Sequence, residues 1–392
     1  MTGRAPSSRD MIERLVAFDT TSAKSNLALI AEVADYLAGY GIAAQLTHNE
    51  DRTKANLYAT VGPEGAGGVV LSGHTDVVPV LGQNWSSDPF AVVERDGELF
   101  GRGTADMKSF IAVALALVPE MIAARLKTPI HFALSYDEEV GCFGVGHMID
   151  HIRKSGPLPR LVLVGEPTGM KVANAHKGTY VFHTRAVGRE GHSSAPHRGA
   201  SAILAAAEMV RFLAALSEEL AARAPRRGTS DGDFDPPYTT IGIGRIEGGT
   251  AFNIIPKECT LLWECRPLPG TDDGAEILRR FEEHAARFVT PTLRAKAADG
   301  GVFTETGVSC PPLTPERHSP AEALALALSG ENATSVVAFG SEAGLFQEAG
   351  IPAVLCGPGS ITQAHQADEF IAIDQIAACE RFLPRLIRHC AA

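Results

Sequence analysis

The chain has no apolar run long enough to span a bilayer. The longest, Phe110 to Val118, falls far short of the roughly 20 residues required. Met1 to Asp10 is polar and lacks the apolar core of a signal peptide. Positive charge is scarce too: 35 lysines and arginines stand against 46 aspartates and glutamates, for a formal net charge of −11. Such a field repels a phosphate backbone, so neither membrane nor nucleic acid is an expected partner. Cysteine is sparse and unpatterned, with seven residues and no C-x-x-C pair. An odd, scattered set reads as reduced thiols, and a cytoplasmic location is expected. There is no low-complexity segment and no internal repeat. What remains is 392 residues of ordinary globular composition, 45% hydrophobic and 21% charged, a length that favours two domains.

Short apolar runs ending abruptly in polar residues dominate the first part of the chain. Gly68–Gly73 runs into His74-Thr75-Asp76, His131–Tyr136 into Asp137-Glu138-Glu139, and Leu161–Gly165 into Glu166. Helical spacing marks residues 11–42, and a helix rich in Ala, Leu and Val is expected from about Lys108 to Arg125. Near-continuous apolar strands alternating with helices indicate an α/β domain on a mostly parallel sheet. After about residue 177 the pattern changes to a compact α+β insert. It is expected to follow a strand-helix-strand-strand-helix-strand order, with strands at Thr179–Val187, Thr239–Ile246 and Glu258–Cys265, helices at Ala200–Ala224 and Asp273–Phe288, a final strand without assigned bounds, and a Gly-, Asp- and Pro-rich loop at Arg226–Pro237. The apolar face of the first of these helices (Ile203, Leu204, Met209, Phe212, Leu213, Leu216) is expected to pack on the insert's own strands. Strands at Ser335–Phe339 and Ala353–Cys356 and a closing helix at Ile373–His389 resume the first pattern. The expected boundaries are 1–177 and 293–392 for the catalytic domain and 178–292 for the insert.

In parallel sheets ligands bind beyond the carboxyl ends of the strands, and three strands here deliver a His or a carboxylate to that edge. His74-x-Asp76 suits a metal ligand with a carboxylate that orients it. Asp106, in Gly101-Arg102-Gly103-Thr104-Ala105-Asp106-Met107-Lys108, is either a helix N-cap or a further group at the same edge. Three successive acids at Asp137-Glu138-Glu139 repel one another unless water or a cation relieves them. They fit one carboxylate on a metal beside a free general base. Glu166 closes another strand, and His365 follows the loop Gly357–Ser360. Two histidines and at least three carboxylates at one edge suit a pair of zinc-like ions.

Five segments carry a resemblance across nearly the whole chain: Ser72–Asp76, Gly101–Gly103 with Asp106–Lys108, Asp137–Gly141, Gly191-His192-Ser193-Ser194 and Gln363–Gln366. They resemble the di-metal amidohydrolase and exopeptidase family, which includes acetylornithine deacetylases, succinyl-diaminopimelate desuccinylases, aminoacylases and carboxypeptidases of the G type. Gly340–Ala343, Gly357–Ile361 and His365–Glu369 are most similar to the acetylornithine deacetylase branch.

The resemblance implies two divalent ions, zinc or cobalt, bridged by Asp106. His74 and Glu166 complete one shell, and Glu139 and His365 the other. It further implies Asp76 as support for His74, Glu138 as general base and a ferredoxin-like insert that dimerises. His192, from the partner's lid, is the oxyanion donor, and Arg266 and Asn253 contact substrate. Each of these last three has a plain structural reading as well: His192 as a surface cap, Arg266 as a solvated strand charge and Asn253 as a turn residue. Glu342 is a candidate partner for a substrate ammonium or, equally, a helix N-terminal acid. The expected activity is hydrolysis of an N-acyl amino acid by a homodimer, with N-acetylornithine as substrate. Desuccinylation, other N-deacylations and dipeptidase or carboxypeptidase activity are rivals within the family. A non-catalytic binding relative would be marked by a missing base or ligand, and here every such position is filled.

Overall fold

The structure, a computed structural model, describes residues 5–65, 67–224 and 233–392. The expected loop from Arg226 falls outside the described residues as far as residue 232, as does the start of the polar N-terminal segment through residue 4. The chain divides into two compact units. One holds the residues up to Ala175 together with Pro315–Ser335 and Ser341–Ala392, and the other holds His176–Thr314 and Val336–Gly340.

The first unit is built on a mixed sheet. Four parallel strands form its centre, in the order Ile130–Ser135, Val69–His74, Leu161–Pro167, Ala353–Gly357. Ala55–Val61 and Ala44–His48 add to one side antiparallel, and the short strands Ala173–His176 and Ser335–Val337 complete the other. The expected parallel arrangement therefore holds for the centre and stops at residues 44–61. Those two strands follow one another through a short turn, with no helix between them to make a crossover.

The central strands are buried along their whole length, as strands covered on both faces must be. One cover is the helix Lys108–Ala116, buried at every position from Lys108 to Leu115. The helix expected to run on to Arg125 breaks at Leu117 and restarts as Val118–Ala123, with a proline in its first turn, where a missing N–H costs nothing. Residues 11–42 likewise form two helices, Ser8–Val16 and Leu27–Ala38. The first opens on a capping box made by Ser7 and Asp10.

The second unit runs strand Thr179–Val187, helix Ala202–Ala222, strands Thr240–Gly248 and Glu258–Arg266, helix Gly274–His284, strand Gly301–Cys310. Its four strands are antiparallel in the order Thr240–Gly248, Glu258–Arg266, Thr179–Val187, Gly301–Cys310. The boundary expected at residue 292 is thus too early, because the last strand belongs to this sheet and the unit continues to Thr314. That strand is an edge with most of its residues at least partly exposed, so its sequence carries little apolar alternation. Met209, Leu213 and Leu216 of the long helix pack with Phe182, Trp263 and Phe281, as expected. Ile203 and Leu204 do not join that core, and Leu204 is 72% exposed.

Gly165 shows how closely the first unit is packed. A Cβ there would lie 2.0 Å from the ring of Phe110, so the strand bearing Glu166 approaches the buried helix at a position that only glycine allows. Gly165→Ala is expected to destabilise the protein by about 1–3 kcal/mol through overpacking, read as a lower urea midpoint. An unchanged midpoint would show that strand and helix part freely.

Candidate metal centre and active site

Register at the parallel centre decides which side chains meet. Ser72 lies level with Val164, and His74 with Ser135. Because alternate residues share a face, His74 and Glu166 emerge side by side at the carboxyl edge. Asp137-Glu138-Glu139 follows the neighbouring strand, and His365 lies in the segment after Ala353–Gly357.

Asp106 precedes the helix Lys108–Ala116 but does not cap it: Met107 takes the N-cap position, and no side chain caps this end. The carboxylate of Asp106 turns instead to two histidines. Its Oδ1 is 2.9 Å from His74 Nε2 and its Oδ2 is 3.4 Å from His365 Nε2. His365 Nε2 also lies 3.0 Å from Glu139 Oε2. His74, Asp106 and Glu139 each offer a ligand atom within 4.8 Å of the others, so these three can hold a metal ion.

Asp76 supports its neighbours differently from expectation. His74 Nδ1 meets the main-chain carbonyl of Asp76 at 2.9 Å, while the Asp76 carboxylate is 3.7 Å away. That carboxylate accepts the backbone N–H groups of Glu138 (3.1 Å) and Glu139 (3.2 Å) and the hydroxyl of Ser22 (2.7 Å). Asp76 therefore fixes the ring by its main chain and the acidic turn by its side chain. Ser22 and this backbone clamp carry no sequence signal, since the partners lie 54 to 63 residues away.

Glu342 stands at the N-cap position of the helix Ala343–Glu348 without capping it. Its side chain is 1% exposed and faces the Ser72 hydroxyl at 3.5 Å. Burial pushes its carboxyl up to about 7. Glu342 is thus enclosed at the start of that short helix.

His192, Asn253 and Arg266 belong to the second unit. The short strands Gly191–His192 and Ile254–Ile255 pair antiparallel, and Ser193 donates its N–H to the Asn253 carbonyl at 3.0 Å. His192 and Asn253 are therefore neighbours. The exposed His192 ring accepts at Nδ1 from the Ser194 N–H at 3.2 Å. The half-buried Arg266 fork rests on Glu264 (3.2 Å) and the Thr179 hydroxyl (3.3 Å).

Charge at the first unit's edge is out of balance. Glu139 Oε1 and Glu166 Oε1 are buried with no hydrogen-bond partner among the described residues, a costly arrangement for a carboxylate. Burial raises Glu138 and Glu166 well above the usual carboxylate range, and burial with the Asp106 charge pushes Glu139 up to about 7. Burial acts the same way on Asp106, but hydrogen bonds from His365 and His74 outweigh it and hold that carboxyl below its ordinary value. Asp106 and Glu139 in turn raise His365 to about 10. Against the opposing pull of burial, the bond to Asp106 also raises His74. Orphaned carboxylate oxygens beside two imidazoles are a donor set that fits divalent cations.

A pH dependence follows for the metal-free protein. A raised carboxyl stabilises the fold while it stays protonated, so its contribution is lost as pH climbs from about 4.5 towards 7 for Glu139. A raised histidine contributes below about 6.5, and that is lost on the way to about 10 for His365. Asp106 has the opposite sign, but its lowered pKa acts only below about 3.8. Thermal unfolding in chelator should therefore show a melting temperature that falls from pH 5 to pH 9, and excess zinc should remove most of that fall. A metal-free melting temperature that rises over this range would contradict the charge imbalance.

Residues 70–389 match the pattern of peptidase family M20/M25/M40. A Myxococcus xanthus protein named acetylornithine deacetylase is 36% identical over 397 residues, covering 99% of both chains. Among solved structures, a metallo-carboxypeptidase of Sulfolobus solfataricus superposes with a TM-score of 0.73 at 17% identity, covering 98% of this chain and 99% of its own. A dinuclear metal-binding peptidase of Bacillus subtilis gives 0.61 at 16% identity, covering 97% of each. The two structures share the fold, and the M20 pattern extends through both units of this chain. The protein belongs to peptidase family M20/M25/M40.

Proposed function

We propose that this protein hydrolyses the amide of N-acetylornithine to ornithine and acetate, a step of arginine biosynthesis, in the cytoplasm. The observation that carries the hydrolytic reading is Asp106, whose two oxygens face His74 and His365 while Glu138 lies in the same acidic edge. Likeness to the Myxococcus relative along the whole chain supports the acetyl and ornithine parts of the substrate.

Two divalent ions, zinc or cobalt, would share Asp106, with His74 and Glu166 holding one and Glu139 and His365 the other. Such ions polarise an acyl carbonyl and make a water acidic near neutral pH. The protein supplies the proton traffic. Glu138 takes a proton from the attacking water at its carboxylate and delivers it to the departing amine nitrogen. Asp76 keeps Glu138 in place through the backbone N–H it accepts.

The second unit, a ferredoxin-like lid, supplies the remaining groups. His192 is a donor for the developing oxyanion, assisted by Asn253, and it acts in the partner's site of a homodimer. Arg266 binds the α-carboxylate through its planar fork. Dimerisation is supported by the outer strand Thr240–Gly248, an unpaired edge of its sheet. Ile243, Ile246, Phe252, Ile254 and Leu204 are exposed in the same unit, an apolar set of the kind that marks an interface.

Assays with N-acetylornithine, an N-succinyl diamino acid and a dipeptide decide the substrate. Hydrolysis is expected to favour N-acetylornithine, to stop on chelation and to return with zinc or cobalt. Preference for the succinylated compound would move the protein to the desuccinylases, and turnover that survives metal removal would end the metal reading. Glu138→Gln should lower turnover by about 10²–10⁴-fold with metal content kept, whereas Glu139→Gln should lose metal. Equal metal loss in both would refute the division between base and ligand.

Mixing His192→Ala with Glu138→Gln tests action across the dimer. In a mixed dimer one site carries both defects and the other neither, so activity should return on subunit exchange. Verified exchange without activity would place His192 in its own subunit's chemistry.

A further inference from the structure

Glu369 is 1% exposed, yet its carboxylate is among the most heavily bonded groups of the first unit. Oε1 accepts the backbone N–H groups of Gly103 (3.0 Å), Ala105 (2.9 Å) and Asp106 (3.1 Å). Oε2 accepts from Arg102 Nη1 at 2.6 Å, and Arg102 is itself 1% exposed. The Glu369 main-chain carbonyl takes the Gly101 N–H at 2.9 Å. Segment 101–107 has no helix or strand to satisfy its backbone, so one carboxylate organises it. Gly103 allows the tight wrap, with φ of +85° and a would-be Cβ only 3.0 Å from Lys108 and Val77 side chains.

The network continues to the other histidine. Arg102 Nη2 donates to Gln83 Oε1 at 2.6 Å, its guanidinium lies 5.0 Å over the Trp85 ring, and Gln83 Nε2 donates to the main-chain carbonyl of His365 at 3.1 Å. Glu369 also follows His365 by only four residues. The segments bearing Asp106 and His365 are therefore tied together by one buried ion pair and one amide.

Burying a carboxylate with a guanidinium is expensive and is retained where it enforces a geometry. Charge-assisted bonds to three backbone donors within four residues enforce one strongly. We infer that Glu369 is a positioning residue: clamped by Arg102, it sets the backbone of Asp106 and, through Arg102 and Gln83, that of His365, so that their side chains meet in the observed arrangement. This rests on reading Asp106 and His365 as metal ligands.

The test is titration of metal-free protein with Co²⁺, followed by visible absorbance and calorimetry, for the native chain and for Glu369→Gln, Gln83→Ala and His365→Ala. Glu369→Gln should weaken both binding steps by about 10–100-fold, the usual effect of losing a group that orients ligands. Gln83→Ala, which leaves the buried pair intact, should weaken only the step that His365→Ala weakens, and should alter the Co²⁺ spectrum of that step. If Glu369→Gln does not fold, Gln83→Ala alone decides. Variants that melt earlier yet bind Co²⁺ like the native chain would overturn the inference and leave Glu369 a purely structural group. Native-like titration of His365→Ala would instead refute the ligand reading beneath it.

Discussion

Asp106, Glu138, Glu139 and Glu166 crowd negative charge at one end of a parallel sheet, where side chains are largely enclosed. Carboxylates so placed either take up protons or recruit cations. The two histidines relieve Asp106 directly, but two buried oxygens, on Glu139 and Glu166, find no donor among the described residues. Much of the surrounding structure holds this repulsive arrangement together. Asp76 clamps the acidic turn, Glu369 organises the segment before Asp106, and the fully buried strands and helix beneath give neither a way to relax.

The members of the Glu138–Glu139 pair differ in direction rather than in chemistry. Both side chains are carboxylates on adjacent residues with raised pKa values. Glu139 reaches His365 and Asp106's surroundings, whereas the contact recorded for Glu138 is the Cys142 thiol at 3.7 Å. One turn, pinned at two successive N–H groups by Asp76, gives the two side chains these separate directions.

The second unit contributes another kind of order. Its antiparallel sheet and the helices Ala202–Ala222 and Gly274–His284 close around Trp263, Phe182 and Phe281, with Thr240–Gly248 at one edge of the sheet and a group of exposed apolar residues. The His192 ring is held locally, by the Ser194 N–H two residues ahead in the chain.

The sequence by itself determined the central strands, the buried helix and the position of His74, the acidic turn and Glu166 at strand ends, because apolar runs and abrupt polar stops are local signals. It also brought Asp106 and His365 into consideration, through glycine-flanked segments and family resemblance. Only the tertiary structure decided that Asp106 faces both histidines instead of capping its helix, that Asp76 holds the acidic turn, and that Glu342 is enclosed. The place of the fourth strand of the second unit was illegible because an exposed edge needs no apolar alternation. The pairing of Arg102 with Glu369 was hidden for a different reason: its partners are 267 residues apart, and the burial that makes a charge pair necessary exists only once the chain has folded.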